Sequence, residues 1–327
     1  MVFQIGASKK IECWTMPSGI VARVGRAFCL IWLAFLGVCL SCEAIASAGS
    51  DAGELCDRLA SDPFDPAREA QGVAFDDIEP DSAVQACLAA AVQNPDNDRY
   101  RFQLSRALDA GGRTKEAGWL LHGAAKHGYP IAQAHLGAFE LAGGRIGKRV
   151  PRPEYWLNQA AENDVPMAQL ILARAYLSGM FGEGNEQKGL HWLSVVEKKG
   201  MESAKVTRLE FEILGAVKRD DADVATKARH RLKLLAEAGN VDAALSLARL
   251  YSSGIGVARN WTKAMDWYER AARAGNTEAQ RKLAFAYKEG LGRERDEEKA
   301  AKWQKAASKE RKSLTYGPDG FQFFEGR

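Results

Sequence analysis

The chain has 327 residues, of which 46% are hydrophobic and 27% are charged, as is ordinary for a folded protein. The formal net charge of +3 is too small to indicate a nucleic-acid partner. Only 10 prolines occur, and no long Gly/Ser-rich or Pro-rich tract marks a flexible linker.

Residues 1–48 have the layout of a secretory signal peptide. Two arginines precede an apolar run from Ala27 to Leu40, and Ala46-Ser47-Ala48 forms an A-x-A cleavage signature. The run is short for a membrane span, which needs about 20 residues. We therefore expect cleavage after Ala48, a periplasmic or secreted mature chain, and no stable membrane insertion. The alternatives are an uncleaved anchor, a lipoprotein attached through Cys42, and a true start at Met16.

Residues 49–94 show no repeat and are expected to form a disulfide-stapled cap. Removal of the signal peptide leaves Cys56 and Cys87, and an oxidising compartment favours a disulfide between such a pair. The alternative is two buried free thiols. The pattern predicts a helix over Ser82–Val92 and a turn over residues 62–66.

Charge is unevenly distributed along the chain. Residues 49–100 contain 12 Asp and Glu against 3 Arg, whereas residues 101–327 contain 38 Lys and Arg against 28 Asp and Glu. An acidic segment before a basic body indicates intramolecular docking or an anionic partner. An ordinary solvated surface would also account for the pattern.

The body of the chain repeats at a spacing of 36 residues. Shifting the segment that begins at Ala243 by this spacing superposes nine residue types on the segment that begins at Ala279. Weaker copies begin at Ala168 and Ala132, and a longer, degenerate copy lies between residues 200 and 240. Apolar residues recur at three- and four-residue spacing, so each unit is predicted to be a pair of helices.

Helix ends are marked in the same register. N-caps are predicted at Asn240, Asn260, Asn276 and Asp296, and left-handed residues after second helices at Gly200, Gly239 and Gly275. Gly254-Ile255-Gly256 follows a helix rather than a strand and recurs one repeat later. It therefore predicts a turn within the unit and not a phosphate-binding loop.

The sequence DAALSLARLYSSGIGVARNWTKAMDWYERAARAGN resembles the Sel1-like repeat, an α/α repeat related to the tetratricopeptide repeat. The residues that match the family pattern are Ala243, Leu247, Ala248, Tyr251, Gly254, Gly256, Val257, Lys263, Ala264, Trp267, Tyr268, Ala271, Ala272 and Gly275. Residues 98–130 look more like a tetratricopeptide unit. The resemblance implies an all-α superhelical solenoid of about six units over residues 95–308, followed by a tail over residues 309–327.

Histidines and tryptophans are the candidate catalytic and ligand-binding residues of the sequence. His122 and His127 are five residues apart and do not share a helix face as zinc ligands would. Trp156, Trp192, Trp267 and Trp303 recur in register and are predicted to lie in the core. Trp119 lies one position out of register and Trp261 begins a helix, and we expect both to be half-exposed. No cofactor is expected, and the chain is not expected to be an enzyme.

One pattern favours partner binding. Arg106, Arg174 and Arg249 each lie two residues after the leucine of their unit, and equivalent positions in stacked first helices usually face the groove. Together with Arg281 and Lys282 they predict a basic stripe that binds an acidic protein or peptide. The alternative is that these arginines pair with neighbouring carboxylates of the chain itself.

The resemblance implies an exported scaffold or regulator that binds a partner protein through the solenoid groove. Related exported Sel1-like proteins include regulators of envelope signalling, some of which hold a sensor kinase inactive. The alternatives are an envelope hydrolase, a cell-wall ligand binder, or a subunit of a host-directed secreted assembly. The cysteine pair that β-lactam-binding relatives carry in each repeat is not present in this sequence.

Overall fold

The computed structural model describes residues 52–146 and 151–308. Within these residues the chain forms fourteen α-helices, one 3₁₀ turn (Phe75–Asp77) and no strand. The helices are α1 (52–60), α2 (Pro80–Gln93), α3 (Asp98–Ala110), α4 (Thr114–Lys126), α5 (Pro130–Leu141), α6 (Pro153–Glu162), α7 (Pro166–Leu177), α8 (Glu186–Lys198), α9 (Glu202–Lys218), α10 (Ala222–Glu237), α11 (Val241–Ser253), α12 (Trp261–Arg273), α13 (Thr277–Glu289) and α14 (Glu297–Ala307).

The predicted signal peptide, its cleavage site after Ala48 and the tail at residues 309–327 lie outside the described residues. Among the helices of the described part, none is long and apolar enough to cross a membrane. The predicted helix over Ser82–Val92 is confirmed as α2.

The helices begin and end at residues suited to those places. The N-caps predicted at Asn240, Asn260, Asn276 and Asp296 are confirmed, since each side chain accepts a hydrogen bond from the backbone N–H three residues later. Proline occupies the first turn of α2, α5, α6 and α7, where its missing N–H leaves no helical bond unmade. These local signals mark the first residues of the helices that carry them.

The turn within each Sel1-like unit depends on glycine. Gly254 and Gly290 end α11 and α13 with φ of 82° and 71°, in the left-handed region that side chains with a Cβ rarely adopt. A Cβ added to Gly292 would lie 2.4 Å from the carbonyl carbon of Trp261 in the previous unit. The prediction that Gly254-Ile255-Gly256 is a turn between two helices is therefore confirmed.

The helices stack in chain order, each packed on the next. We call α3, α5, α7, α9, α11 and α13 the first helices, and α4, α6, α8, α10, α12 and α14 the second helices. First helices also contact one another across units, α5 with α7, α7 with α9 and α9 with α11. They therefore form the tightly curved inner face of the stack, and the second helices form its outer face.

Repeated side-chain contacts hold each Sel1-like unit together. A lysine at the start of the second helix lies over the tyrosine of the first, at 5.4 Å for Lys188 and Tyr176 and 5.5 Å for Lys263 and Tyr251. The repeated tryptophans pack in the core as predicted. Trp156 and Trp267 are buried, whereas Trp192 and Trp303 are half-buried against the same apolar clusters.

The apolar core of the stack has two main parts. One includes residues 56–176 and the other residues 206–300, and a small cluster around Leu170 and Leu193 lies between them. The contact between α8 and α9, where the two parts meet, is the least extensive of those between helices consecutive in the chain from α2 to α14.

A disulfide joins α1 to α2. It links Cys56 to Cys87, whose Cα atoms are 4.7 Å apart, and both residues are fully buried. The predicted pairing is confirmed in the structure. The connection between these two helices, residues 61–79, is closed into a loop by this bond, and we call it the strap.

Candidate functional site: the inner face and its strap

The strap lies against the inner face of the first units, and Arg106 of α3 holds it there. Arg106 is 2% exposed. Its guanidinium donates hydrogen bonds to the backbone carbonyls of Ala60 (2.7 Å) and Val73 (2.8 Å), and its Nε lies 3.3 Å from Oδ2 of Asp62. One arginine thus binds the end of α1 and the middle of the strap, and pairs with a carboxylate that lies between them in the chain.

Asp62 is the centre of a buried charged cluster. His135 Nε2 of α5 donates to Asp62 Oδ2 (3.0 Å), the backbone N–H of Phe64 donates to Oδ1 (2.8 Å), and the His135 ring packs on Phe102. Burial alone would raise the pKa of Asp62, but the charges of Arg106 and His135 and these hydrogen bonds hold it well below its usual range. Asp62 is therefore an anion in the folded chain.

Two further carboxylates of this region contact the inner face. Asp65 accepts a hydrogen bond from the hydroxyl of Tyr129, and Asp57 pairs with Arg99 (3.2 Å) and accepts from Gln103 (2.8 Å). For both acids burial is the largest influence, and it raises the pKa despite these hydrogen bonds. The three acids share one pattern, a carboxylate of the N-terminal segment against polar groups of first helices or of the residues that lead into them.

These contacts account for part of the uneven charge of the sequence. Of the three interpretations offered above, intramolecular docking describes Asp57, Asp62 and Asp65. Other acids of the same region, such as Asp76 and Asp81, are exposed. The turn predicted over residues 62–66 is present, because the carboxylates of Asp62 and Asp65 each accept a backbone N–H two residues later.

Arg174 and Arg249 occupy the place in α7 and α11 that Arg106 occupies in α3. Arg174 is buried and donates to the hydroxyl of Thr207 in α9 (2.9 Å). Arg249 forms a two-point ion pair with Glu278 of α13, with Nε to Oε1 at 2.9 Å. Arg106 and Arg249 therefore follow the alternative to a basic stripe, because each pairs with a carboxylate of the chain itself. Both pairs lie in the interior rather than in solvent.

Glu210 of α9 was missed at the sequence level. It lies 36 residues after Arg174, which is the repeat spacing, so alignment of the repeats could have found it. The rest of its unit matches the repeat poorly, which obscured this correspondence. Glu210 is 3% exposed and accepts a hydrogen bond from Ser246. Burial raises its pKa, and the charges of Arg174 and Arg249 act in the opposite direction. We call the position that Arg106, Arg174 and Arg249 occupy in the first helices the inner row. From α7 to α11 this row alternates in charge rather than being uniformly basic.

The last first helix differs from the others. Phe285 of α13 holds the position of the arginines and is 52% exposed. Arg281, one turn earlier, is exposed and Lys282 is half-buried. Partner binding by the five predicted basic residues stays a prediction, and of these the pair on α13 is the one at the surface. In the described residues, no three His, Cys, Asp or Glu side chains come together as a metal site would require.

Comparisons with known proteins agree with the repeat architecture. The family model for the Sel1 repeat matches residues 166–194, 241–276 and 277–310, which correspond to α7/α8, α11/α12 and α13/α14. Comparison with curated proteins gave no match. Sel1-repeat proteins generally mediate protein–protein interactions and are typically non-catalytic scaffolds.

Two solved structures illustrate the similarity. A Sel1 repeat protein from Oxalobacter formigenes is 26% identical, with 69% of this chain and 94% of that chain covered and a TM-score of 0.45. A protective antigen of uropathogenic Escherichia coli strains that displays an SLR fold is 21% identical, with 81% of this chain and 55% of that chain covered and a TM-score of 0.44. Three helix pairs of this chain are Sel1 repeats, and they form part of an all-α repeat solenoid.

Proposed function

We propose that this protein is an exported, non-catalytic scaffold or regulator that binds an acidic segment of a partner protein on its inner face. The observation that carries this is the strap. An irregular, acidic polypeptide segment is already held on the first helices by charge-assisted hydrogen bonds from Arg106 and His135.

The partner would bind where the inner face is not covered by the strap. On α13, Phe285 offers an exposed aromatic side chain, and Arg281 and Lys282 supply positive charge one turn away. An aromatic anchor beside cations is a combination enriched at protein interfaces. A role in envelope signalling is the most specific form of this proposal, and it rests on the resemblance alone.

Export is supported by two features. The Cys56–Cys87 disulfide is suited to an oxidising compartment, and the first 48 residues have the pattern of a signal peptide. Cell fractionation with maleimide labelling tests this. In cells lysed without reductant, the two thiols should be protected in the exported fraction, and free thiols there would contradict export through an oxidising compartment.

Site-specific photo-crosslinking tests the binding surface. A crosslinking residue at Phe285 should capture a discrete protein from envelope extract, whereas one at Lys302, on the outer helix α14, should not. The double variant Arg281→Glu/Lys282→Glu should abolish capture, while the matched variant Lys302→Glu/Lys305→Glu should retain it. Equal capture by both double variants would refute the assignment to α13, and turnover of peptidoglycan fragments or β-lactams by the purified chain would refute the non-catalytic role.

A further inference from the structure

Four ring side chains occupy one repeated position on the outer face, and we call them the ring row: Trp119 on α4, Tyr155 on α6, His191 on α8 and His230 on α10. Each stands two residues before a fully buried leucine: Leu121, Leu157, Leu193 and Leu232. Residues two apart on an α-helix are separated by about 200°. The leucines point into the core, and the rings therefore point away from it.

The ring row is exposed to an unusual degree. Trp119 is 61% exposed and Tyr155 is 47% exposed, and the two histidines are also exposed. Tryptophan is ordinarily among the more buried residue types, so an exposed one beside other rings indicates a binding surface. At the same position the last two units carry Asp266 and Lys302, so the row is confined to the first four units.

Contacts between rings connect α4 to α6 beside the row. His122, one turn after Trp119 on α4, lies edge-on to Trp156 of α6 with ring centroids 6.2 Å apart. Trp156 in turn contacts Tyr155, with centroids 4.9 Å apart. Ring contacts therefore link two neighbouring second helices, and the exposed Tyr155 ring packs on the buried Trp156.

Positive charge accompanies the row. An exposed cation stands three residues before the rings of α6, α8 and α10: Arg152 at the N-cap of α6, Lys188, which also lies over the Tyr176 ring, and Lys227. Residues at this spacing on a helix share a face. The Arg152 guanidinium lies 4.8 Å from the centroid of the Tyr155 ring. On α4 this position is Glu116, whose charge is met by Arg113 at 2.8 Å, and Lys115 stands beside it.

We propose that the ring row binds an acidic linear polysaccharide, a chain of linked sugar rings that carry carboxylates. The apolar C–H faces of sugar rings stack on aromatic side chains, and sugar carboxylates pair with Arg and Lys. A polymer repeats its rings along its length as the solenoid repeats its helices, so several weak contacts add along one ligand. The row is one residue wide, which suits a thin polymer better than the broad apolar centre of a protein interface. The site is on the outer face and does not depend on the proposed function of the inner face.

Calorimetric titration of the full chain tests this proposal. The probes are a 1,4-linked uronic acid hexasaccharide, a neutral glucose hexasaccharide of the same length, and a hexaglutamate peptide. The uronic acid oligomer should bind at least about tenfold more tightly than either other probe. Its affinity should fall as salt rises to about 0.3 M, because exposed charges are screened.

Variants assign the binding to the row. Trp119→Ala/Tyr155→Ala should lose at least about tenfold in affinity for the uronic acid oligomer, whereas Lys302→Ala, at the same register in the last unit, should not change it. Equal binding of the peptide, absence of binding, or unchanged affinity in the double variant would each overturn the proposal. If the double variant loses helical structure, Lys115→Gln/Lys227→Gln decides, since both lysines are exposed, and unchanged affinity there overturns it too.

Discussion

Replacing Asp62 by asparagine removes the anion that meets Arg106 and His135 beneath the strap. The carboxylate and the guanidinium are both about 97% buried, so neither can recover its lost partner from water. Breaking a buried pair by removing one partner costs about 3–5 kcal/mol, because the other charge stays uncompensated. At about 1.36 kcal/mol per decade, this corresponds to a change of roughly 150- to 5,000-fold in the opening equilibrium of the surrounding helices.

Hydrogen exchange of backbone amides in α3 measures that equilibrium directly. Peptides from residues 98–110 of Asp62→Asn should exchange faster by this factor under conditions in which reclosing outpaces exchange. The matched control is Glu116→Gln, which breaks the half-exposed pair with Arg113 in the next helix. That control should change the exchange rates little, because solvent-exposed ion pairs contribute little to stability. An acceleration of less than about tenfold for Asp62→Asn would refute the role assigned to the buried cluster.

The pH dependence of this difference has a definite sign. Because the folded chain holds the pKa of Asp62 below its unfolded value of about 3.9, the stabilisation by Asp62 is fully present above that value. It is lost as the pH falls through the folded pKa. The gap between wild type and Asp62→Asn should therefore narrow as the pH falls below about 4. A gap that widened on acidification would contradict the assignment of Asp62 as the anion.

Three further predictions concern the strap and the turns. Asp65→Asn should gain stability relative to wild type as the pH rises above about 3.9, since burial raises the pKa of Asp65 and makes its ionisation costly in the folded chain; pH-dependent urea unfolding measures this, and a loss would refute it. Cys56→Ser/Cys87→Ser should lower the free energy of unfolding by about 3–4 kcal/mol, as expected for a loop of 31 residues, and a loss below about 1 kcal/mol would show that the disulfide adds little. Gly292→Val should destabilise by at least about 2 kcal/mol, because φ is +70° and the new Cβ would meet the Trp261 backbone at 2.4 Å; an unchanged melting temperature would refute this.

Features that repeat could be predicted from the sequence, because each copy of the 36-residue unit can be compared with the other copies. The caps at Asn240 and Asn276 and the turn at Gly254 follow from local backbone chemistry that recurs every 36 residues. The disulfide between Cys56 and Cys87 followed from the number of cysteines and the expected compartment.

Contacts made once could not be predicted in this way. The strap is not periodic, and nothing in its spacing places Asp62 against Arg106 and His135, which are 44 and 73 residues away. Glu210 and Phe285 replace the arginine of the inner row in their units, and the interpretation as a basic stripe attended to the arginines rather than to what stands at the same position elsewhere. The ring row was missed for a related reason. Its members stand one residue before the position of the repeated tryptophans, and the repeat pattern drew attention to the tryptophans alone.

The limited contact between α8 and α9 has a mechanical consequence. In a stack where each unit contacts only its neighbours, the units on either side of the least extensive interface are the least coupled in folding. Bending of the stack at that interface also disrupts the fewest contacts. The described residues on either side, 52–146 with 151–198 and 202–308, should then behave as two rigid arms with a hinge around residues 199–201. The ring row crosses this hinge between His191 and His230. A stiff polymer bound along the row would therefore restrict bending at the hinge and fix the angle between the two arms.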